Sequence, residues 1–204
     1  MYKISKLTTE IFQENIWFIS NKNNDVVIID PGAIEVKQIS AFLNQNQLNP
    51  IAILNTHGHP DHIAGVVPLQ QFYDLPFYIH EQEKGVLDNL TSLAAMIGMR
   101  DLKIPMKKEY LKERKLKLHN FNFEIIHTPG HTPGSICIKF GQHLISGDTL
   151  FKGSIGRVDL PGGSMQQMKK SIRILKNLEA SLMVYPGHGS TTRIAEEIEQ
   201  NPYF

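Results

Sequence analysis

Short apolar runs separated by turn-forming stretches recur along the chain, and the pattern predicts small strands mixed with helices. NIWFIS and DVVIIDPG are rich in β-branched and aromatic residues and are separated by NKNND, which predicts an opening hairpin of antiparallel strands. From Ile34 to Asn46, Ile34, Ile39, Phe42 and Leu43 fall near helical spacing, and Pro50 closes the connection before the apolar run IAIL at 51–54. A strand directly after a helix implies α/β layering. Residues 62–73 predict a second helix despite Pro68, PFYIH another strand, and 81–99 a mostly helical stretch whose Met-bearing end would pack into a core or cap a site.

The second half returns to strands with FNFEIIH at 121–127, SICIKF at 135–140 and HLIS at 143–146, joined by TPGHTPG and by Gly141-Gln142. A helix from about Ser164 to Leu178, a strand LMVY and a terminal helix through Ile194 to Ile198 complete the pattern. Between them, residues 107–117 carry six basic and two acidic side chains, read as a solvated surface segment. With strands and helices mixed in both halves and no linker or repeat, the expected α/β architecture is two mixed sheets packed face to face with helices outside. A length of 204 residues suits one domain with a sizeable core.

Composition removes several classes of function. Apolar residues make up 41% and charged residues 20%, which excludes disordered and collagen-like readings. A formal net charge of +1 lacks the basic excess of a phosphate-backbone binder, so nucleic acid is not an expected partner. The opening MYKISKLTTEIFQEN lacks an apolar core of signal-peptide length and no membrane-length apolar run follows, so a cytoplasmic location without membrane association is expected. A single cysteine, Cys137, excludes an internal disulfide and a four-cysteine zinc site while leaving histidine and carboxylate chemistry open.

That chemistry collects where strands end. IAIL runs into NTHGHPDH, FEIIH into TPGH, HLIS into GD and LMVY into PGH, giving seven candidate metal ligands: His57, His59, Asp61, His62, His131, Asp148 and His188. In an extended segment His57 and His59 face the same way and can grip one ion, with Gly58 allowing close backbone approach. Asp61 and His62 then point elsewhere, which suits a second ion beside the first. His131 is preferred to His127 because it lies in the Pro129-Gly130 turn, whereas His127 completes a strand. His80, His119 and His143 lie within or beside apolar runs and are assigned structural places. The two oxygens of Asp148 can bridge two ions.

Two divalent ions, two carboxylates and one bridging hydroxide leave a residual positive charge that suits a developing oxyanion, and paired ions can hold both nucleophile and leaving group. Hydrolysis is the natural use, with Asp61 expected to orient the hydroxide. Zinc is the first choice, with iron and manganese as alternatives, because histidine and carboxylate ligands without thiolate admit all three. A purely structural metal site is disfavoured, since four ligands would close it.

The segments THGHPDH, TPGH, SGD and PGHG, in this order, resemble the metallo-β-lactamase superfamily over nearly the whole chain. Within it the sequence is similar to the hydroxyacylglutathione hydrolases, or glyoxalase II-like enzymes, especially their short single-domain bacterial form, through GDTLFKGSIGRVDLPGG and the final NPYF. The resemblance implies an αββα sandwich over residues 1–204 as a single domain, and hydrolysis of 2-hydroxyacyl thioesters such as S-lactoylglutathione in methylglyoxal detoxification. By the same resemblance His57, His59 and His131 bind the first metal, Asp61, His62 and His188 the second, and Asp148 bridges. Arg157 matches the place of a basic substrate-contacting residue, and an Arg fork suits a carboxylate; an internal ion pair with Asp159 is the competing role.

The chain ends soon after His188, so the helical C-terminal domain that grips glutathione in longer relatives is expected to be missing and the grip on the carrier loose. True β-lactamases fit less well, because several use a cysteine in the second site, where Asp148 stands here. The competing class is an iron-dependent persulfide dioxygenase, which shares the stretch Gly156, Arg157, Asp159 and would hold one iron on His57, His131 and Asp148.

Overall fold

The computed structural model describes residues 2–112 and 114–204. The chain forms two compact units, Met1–Ile79 with Lys84–Leu111, and His80–Glu83 with Lys112–Phe204. No linker-like stretch in the sequence marks the division.

The first unit is built on a six-stranded sheet whose order follows the chain: β1 (Lys3–Thr8), β2 (Asn15–Ser20), β3 (Asp25–Ile29), β4 (Asn49–Leu54), β5 (Phe77–His80) and β6 (Glu109–Leu111). The first three strands pair antiparallel and β3, β4 and β5 pair parallel, so the sheet is mixed. Its helices are α1 (Val36–Gln45), α2 (Pro60–Ile63), α3 (Val66–Tyr73), α4 (Lys84–Asp88) and α5 (Leu90–Met96). Strand β2 is buried along its whole length, which explains why it reads as a continuous apolar run rather than an alternation.

Helix α1 meets the sheet through Ile39 and Leu43, one turn apart and fully buried against Phe18 and Val26, and each such burial contributes about 1.5–3 kcal/mol. The helix predicted over 62–73 is two helices. Gly65 separates them, and Pro68 sits in the first turn of α3, where its missing N–H costs no helical hydrogen bond. Strand β4 starts earlier than the apolar pattern suggests and includes Pro50, beside a register shift in β3 between Val26 and Val27.

The second unit holds another mixed six-stranded sheet. Its strands are β7 (Lys115–Leu118), β8 (Phe121–His127), β9 (Ile136–Phe140), β10 (His143–Gly147), β13 (Met183–Pro186) and β14 (Thr192–Arg193), in the order β14-β13-β10-β9-β8-β7. A two-stranded ribbon, β11 (Leu150–Phe151) and β12 (Ser154–Ile155), follows β10. Only β10 and β13 pair parallel among the described strands of the larger sheet. Helix α6 (Met165–Lys176) begins at Ser164, whose hydroxyl accepts from the Gln167 N–H at 3.3 Å, and buries Met168, Ile172 and Leu175 against Leu144 and Val184. Helix α7 (Ile194–Gln200) adds Ile194 to the same core.

The described residues of the charged run 107–117 are largely exposed, as a solvated surface segment would be, and they form β6 and most of β7 rather than a loop. In β7 the lysines point outward while Leu118 is buried, and lysines on the end strand of a sheet discourage pairing with other chains. The architecture is thus the α/β fold with two mixed sheets flanked by helices that the sequence predicts. Among the described residues no helix is long and apolar enough to cross a membrane.

Candidate metal centre

In the first unit β4 runs straight into the histidine-rich loop. Asn55 staples that loop from inside, its side-chain amide donating to the carbonyls of His62 at 2.9 Å and His57 at 3.4 Å. His59 stands at the N-terminal boundary of α2 and Pro60 opens it, so the first turn presents Asp61 and His62. The ring of His57 lies 4.9 Å from that of His59 and 4.2 Å from that of His62, and all three rings are buried. Asp61 Oδ2 is 3.8 Å from His62 Nε2.

Ring orientation is set by Asp30, which sequence reasoning missed. This buried residue sits at the end of β3 with φ of +48°, a backbone conformation that Asp and Asn tolerate better than most residues. Its carboxylate accepts from the Thr56 N–H at 2.7 Å and from the Thr56 hydroxyl at 2.6 Å, and its Oδ2 lies 3.2 Å from His62 Nδ1. Because the Thr56 hydroxyl proton goes to Asp30, the Thr56 oxygen accepts from His57 Nδ1 at 3.1 Å. The His57 ring thereby carries its proton on Nδ1 and offers Nε2 to a ligand, while His62 turns its Nδ1 toward the Asp30 carboxylate. Donor atoms of Asp30, His57 and His62 lie within 4.8 Å of one another, yet Asp30 spends its oxygens on these bonds, so it orients rather than ligates. The sequence signal was an aspartate closing an apolar strand before Pro-Gly, which reads equally well as a turn. A second constraint is steric: a Cβ on Gly32 would overlap the Asp61 carbonyl oxygen and the buried Glu14 carboxylate.

In the second unit the candidates stand on three separate strand exits. Asp148 Oδ2 lies 3.6 Å from His131 Nε2 and 3.6 Å from His188 Nε2, so one carboxylate sits between two imidazoles. Parallel pairing of β10 with β13 accounts for half of this. It aligns Gly147 with Pro186, and the Gly187 N–H donates to the Gly147 carbonyl at 2.9 Å, bringing His188 beside Asp148. His131 is turned by the backbone, with its Nδ1 donating to the Arg157 carbonyl at 2.8 Å, which again leaves Nε2 as the ligand atom. Gly156 makes that approach feasible, since a Cβ there would overlap the Asp148 carbonyl oxygen.

The other sequence candidates lie elsewhere. His127 donates through Nε2 to the Pro133 carbonyl at 2.9 Å and stacks on His80. His143 Nδ1 meets the Tyr185 hydroxyl at 3.0 Å. The Arg157 guanidinium grips Asp159 with two bonds of 2.8 Å, and this holds the Asp159 carboxyl down to about 2. Cys137 is fully buried and burial pushes its thiol up to about 11, so it is not a ligand.

The donor set therefore consists of imidazoles and carboxylates without thiolate, with the His57 and His131 rings each presenting a defined nitrogen. That set fits divalent ions such as zinc, iron or manganese.

This fold and donor set are those of a metal-dependent hydrolase-type protein, and residues 9–188 match the metallo-beta-lactamase superfamily, to which the chain belongs. Among its relatives, the probable metallo-hydrolase YqgX of Bacillus subtilis is 36% identical over 94% of this chain and 92% of its own. The hydroxyacylglutathione hydrolase GloC of Haemophilus influenzae is 34% identical over 94% of this chain and 93% of its own. Two solved structures are similarly near. BLEG-1, described as a B3 metallo-beta-lactamase, superposes with a TM-score of 0.91 at 34% identity, covering 98% of this chain and 99% of that one. TTHA1623, in a di-iron-bound form, superposes with a TM-score of 0.90 at 34% identity, covering 98% and 100%.

Proposed function

We propose that this protein hydrolyses 2-hydroxyacyl thioesters such as S-lactoylglutathione. The observation that carries the reading is the set of seven histidine and aspartate donors without thiolate, in a chain similar along its length to a hydroxyacylglutathione hydrolase. We assign His57, His59 and His131 to one ion, Asp61, His62 and His188 to the other, and Asp148 to both. Two divalent ions held there would supply a hydroxide nucleophile at neutral pH and positive charge for a developing oxyanion. Zinc is the first choice, and the di-iron form of TTHA1623 makes iron a serious alternative.

The chain's own residues supply the geometry. Asp30 and Thr56 fix the His57 and His62 rings, and the Arg157 carbonyl fixes His131, so the ligand nitrogens need little reorganisation. Asp61 orients the nucleophile. The Arg157 guanidinium, exposed and paired with Asp159, exchanges that partner for a substrate carboxylate at small cost because exposed ion pairs contribute little. A small-molecule thioester is the partner this reading requires.

The test is a parallel assay of the as-isolated protein with its metal counted by elemental analysis. S-lactoylglutathione is followed by loss of thioester absorbance, glutathione persulfide by oxygen consumption, and a cephalosporin by ring opening. Thioester loss without the other two signals is expected. Oxygen uptake alone would replace the reading with the persulfide dioxygenase, and ring opening alone with a lactamase of the BLEG-1 kind.

A further inference from the structure

Apart from the donor set, the second unit encloses a cavity of about 500 Å³ between β8 and the C-terminal end of α6, within the size range of small-molecule sites. Its apolar wall is formed by Ile126, Ile174 and Leu178. Ile126 and Leu178 rest on the core beneath α6, whereas Ile174 stands 45% exposed among the mostly polar outward residues of the helix.

The charges around this wall are unequally paired. Lys112 lies 3.7 Å from Glu81, and Lys139 lies 3.6 Å from Glu124 and 3.1 Å from Glu179, so these charges are all paired. Arg114 also lines the cavity, and among the described residues no carboxylate stands within ion-pair distance of it. The Arg114 guanidinium is therefore the cation of this wall that has no ion-pair partner among the described residues, and its planar fork matches a carboxylate.

A stacked imidazole pair closes one side, with the His80 and His127 rings 4.4 Å apart and inclined by 14°. The Gln82 N–H donates to His80 Nδ1 at 3.3 Å, so His80 carries its proton on Nε2. His127 uses its own Nε2 proton on Pro133 and keeps Nδ1 as an acceptor. The pair thus adds a flat, polarisable surface with one donor and one acceptor.

We propose that this cavity binds a small monocarboxylate with an apolar arm, its carboxylate on the Arg114 guanidinium and its arm against Ile126, Ile174 and Leu178. A dianionic phosphate ester would meet Glu124, a free amine would meet Arg114, and an uncharged hydrocarbon would leave the guanidinium unmatched. The proposal does not depend on the thioester reading.

Phenylacetate is the probe, titrated into the metal-loaded full chain carrying isotope-labelled histidine, with the ring resonances of His80 and His127 as readout. A saturable shift at millimolar concentration is expected, weakened about tenfold or more by Arg114→Ala and by Ile174→Asp, and about as much when 2-phenylethanol replaces the acid. Neither variant touches the metal donors, so metal content should match the parent. Absence of a saturable shift up to about 20 mM, where even a weak millimolar site would fill, would overturn the proposal. So would a shift that survives both substitutions, which would mark capture of the carboxylate at the metals instead.

Discussion

The two units contribute donors in opposite ways. The first concentrates four candidates in six consecutive residues, His57 to His62, whereas the second draws His131, Asp148 and His188 from three strand exits. In the first, ligand spacing is a property of the local chain, and distant residues such as Asp30 only aim the rings. In the second, spacing exists only when β10 pairs with β13 in the observed register and the 157 carbonyl returns to His131. One device is common to both: a glycine outside the motif lies against the carbonyl of the aspartate, Gly32 at Asp61 and Gly156 at Asp148.

The largest effect tests the local set at its centre. Asp61→Asn keeps the shape of the side chain and removes its charge, and thioester turnover should fall by about two orders of magnitude or more with the thermal midpoint little changed. Full turnover in this variant would remove Asp61 from its assigned role. Next comes the aiming residue. Asp30→Asn tolerates the positive φ yet places an amide where two acceptor oxygens stood, and metal affinity should drop about 10–100-fold in a chelator competition.

Gly156→Ala probes the dispersed set. A methyl group there must displace the Asp148 carbonyl, and a loss of about 1–3 kcal/mol is expected in denaturant unfolding, together with weaker metal retention. An unchanged midpoint would show that the second unit absorbs the strain, and the contrast between units would fail. Arg157→Ala is milder, because its guanidinium is exposed and its backbone carbonyl survives the change. KM for the thioester should rise with the thermal midpoint unchanged; stability loss at constant KM would assign Arg157 to loop structure alone.

The smallest effect concerns the histidines of the second unit that stand away from Asp148. Burial, reinforced by His127 and opposed by Glu81, lowers the His80 pKa to about 4. The folded state thus resists a proton that the unfolded chain accepts near 6.5. His80 should cost nothing above that pH and progressively destabilise the fold as pH falls from about 6.5 toward 4. Thermal midpoints of the parent and His80→Gln should converge at neutral pH and separate over that window.

Legibility of the sequence follows the same division. The HGHPDH piece declared itself because its meaning is local, and α1 and α6 were visible in their apolar spacing. Asp30 was hidden because its partner Thr56 lies 26 residues away and a terminal aspartate before Pro-Gly looks like any turn. The two strands inside the lysine-rich run were obscured for a different reason: outward lysines on an end strand give the composition of a solvated loop. Gly65 between α2 and α3 broke a helix whose apolar periodicity continues across it.

Cys137 carries one more consequence. Under the proposed thioester hydrolysis, released thiols would stand among their disulfides, and an accessible thiolate on the protein would be drawn into exchange with them. The only sulfhydryl of this chain is sealed in β9, 3.5 Å from the Thr128 hydroxyl, with its acidity suppressed by burial. It is both shielded from such exchange and silent until the second unit opens. Its rate of alkylation in the native protein therefore becomes a built-in clock for how often that core breathes.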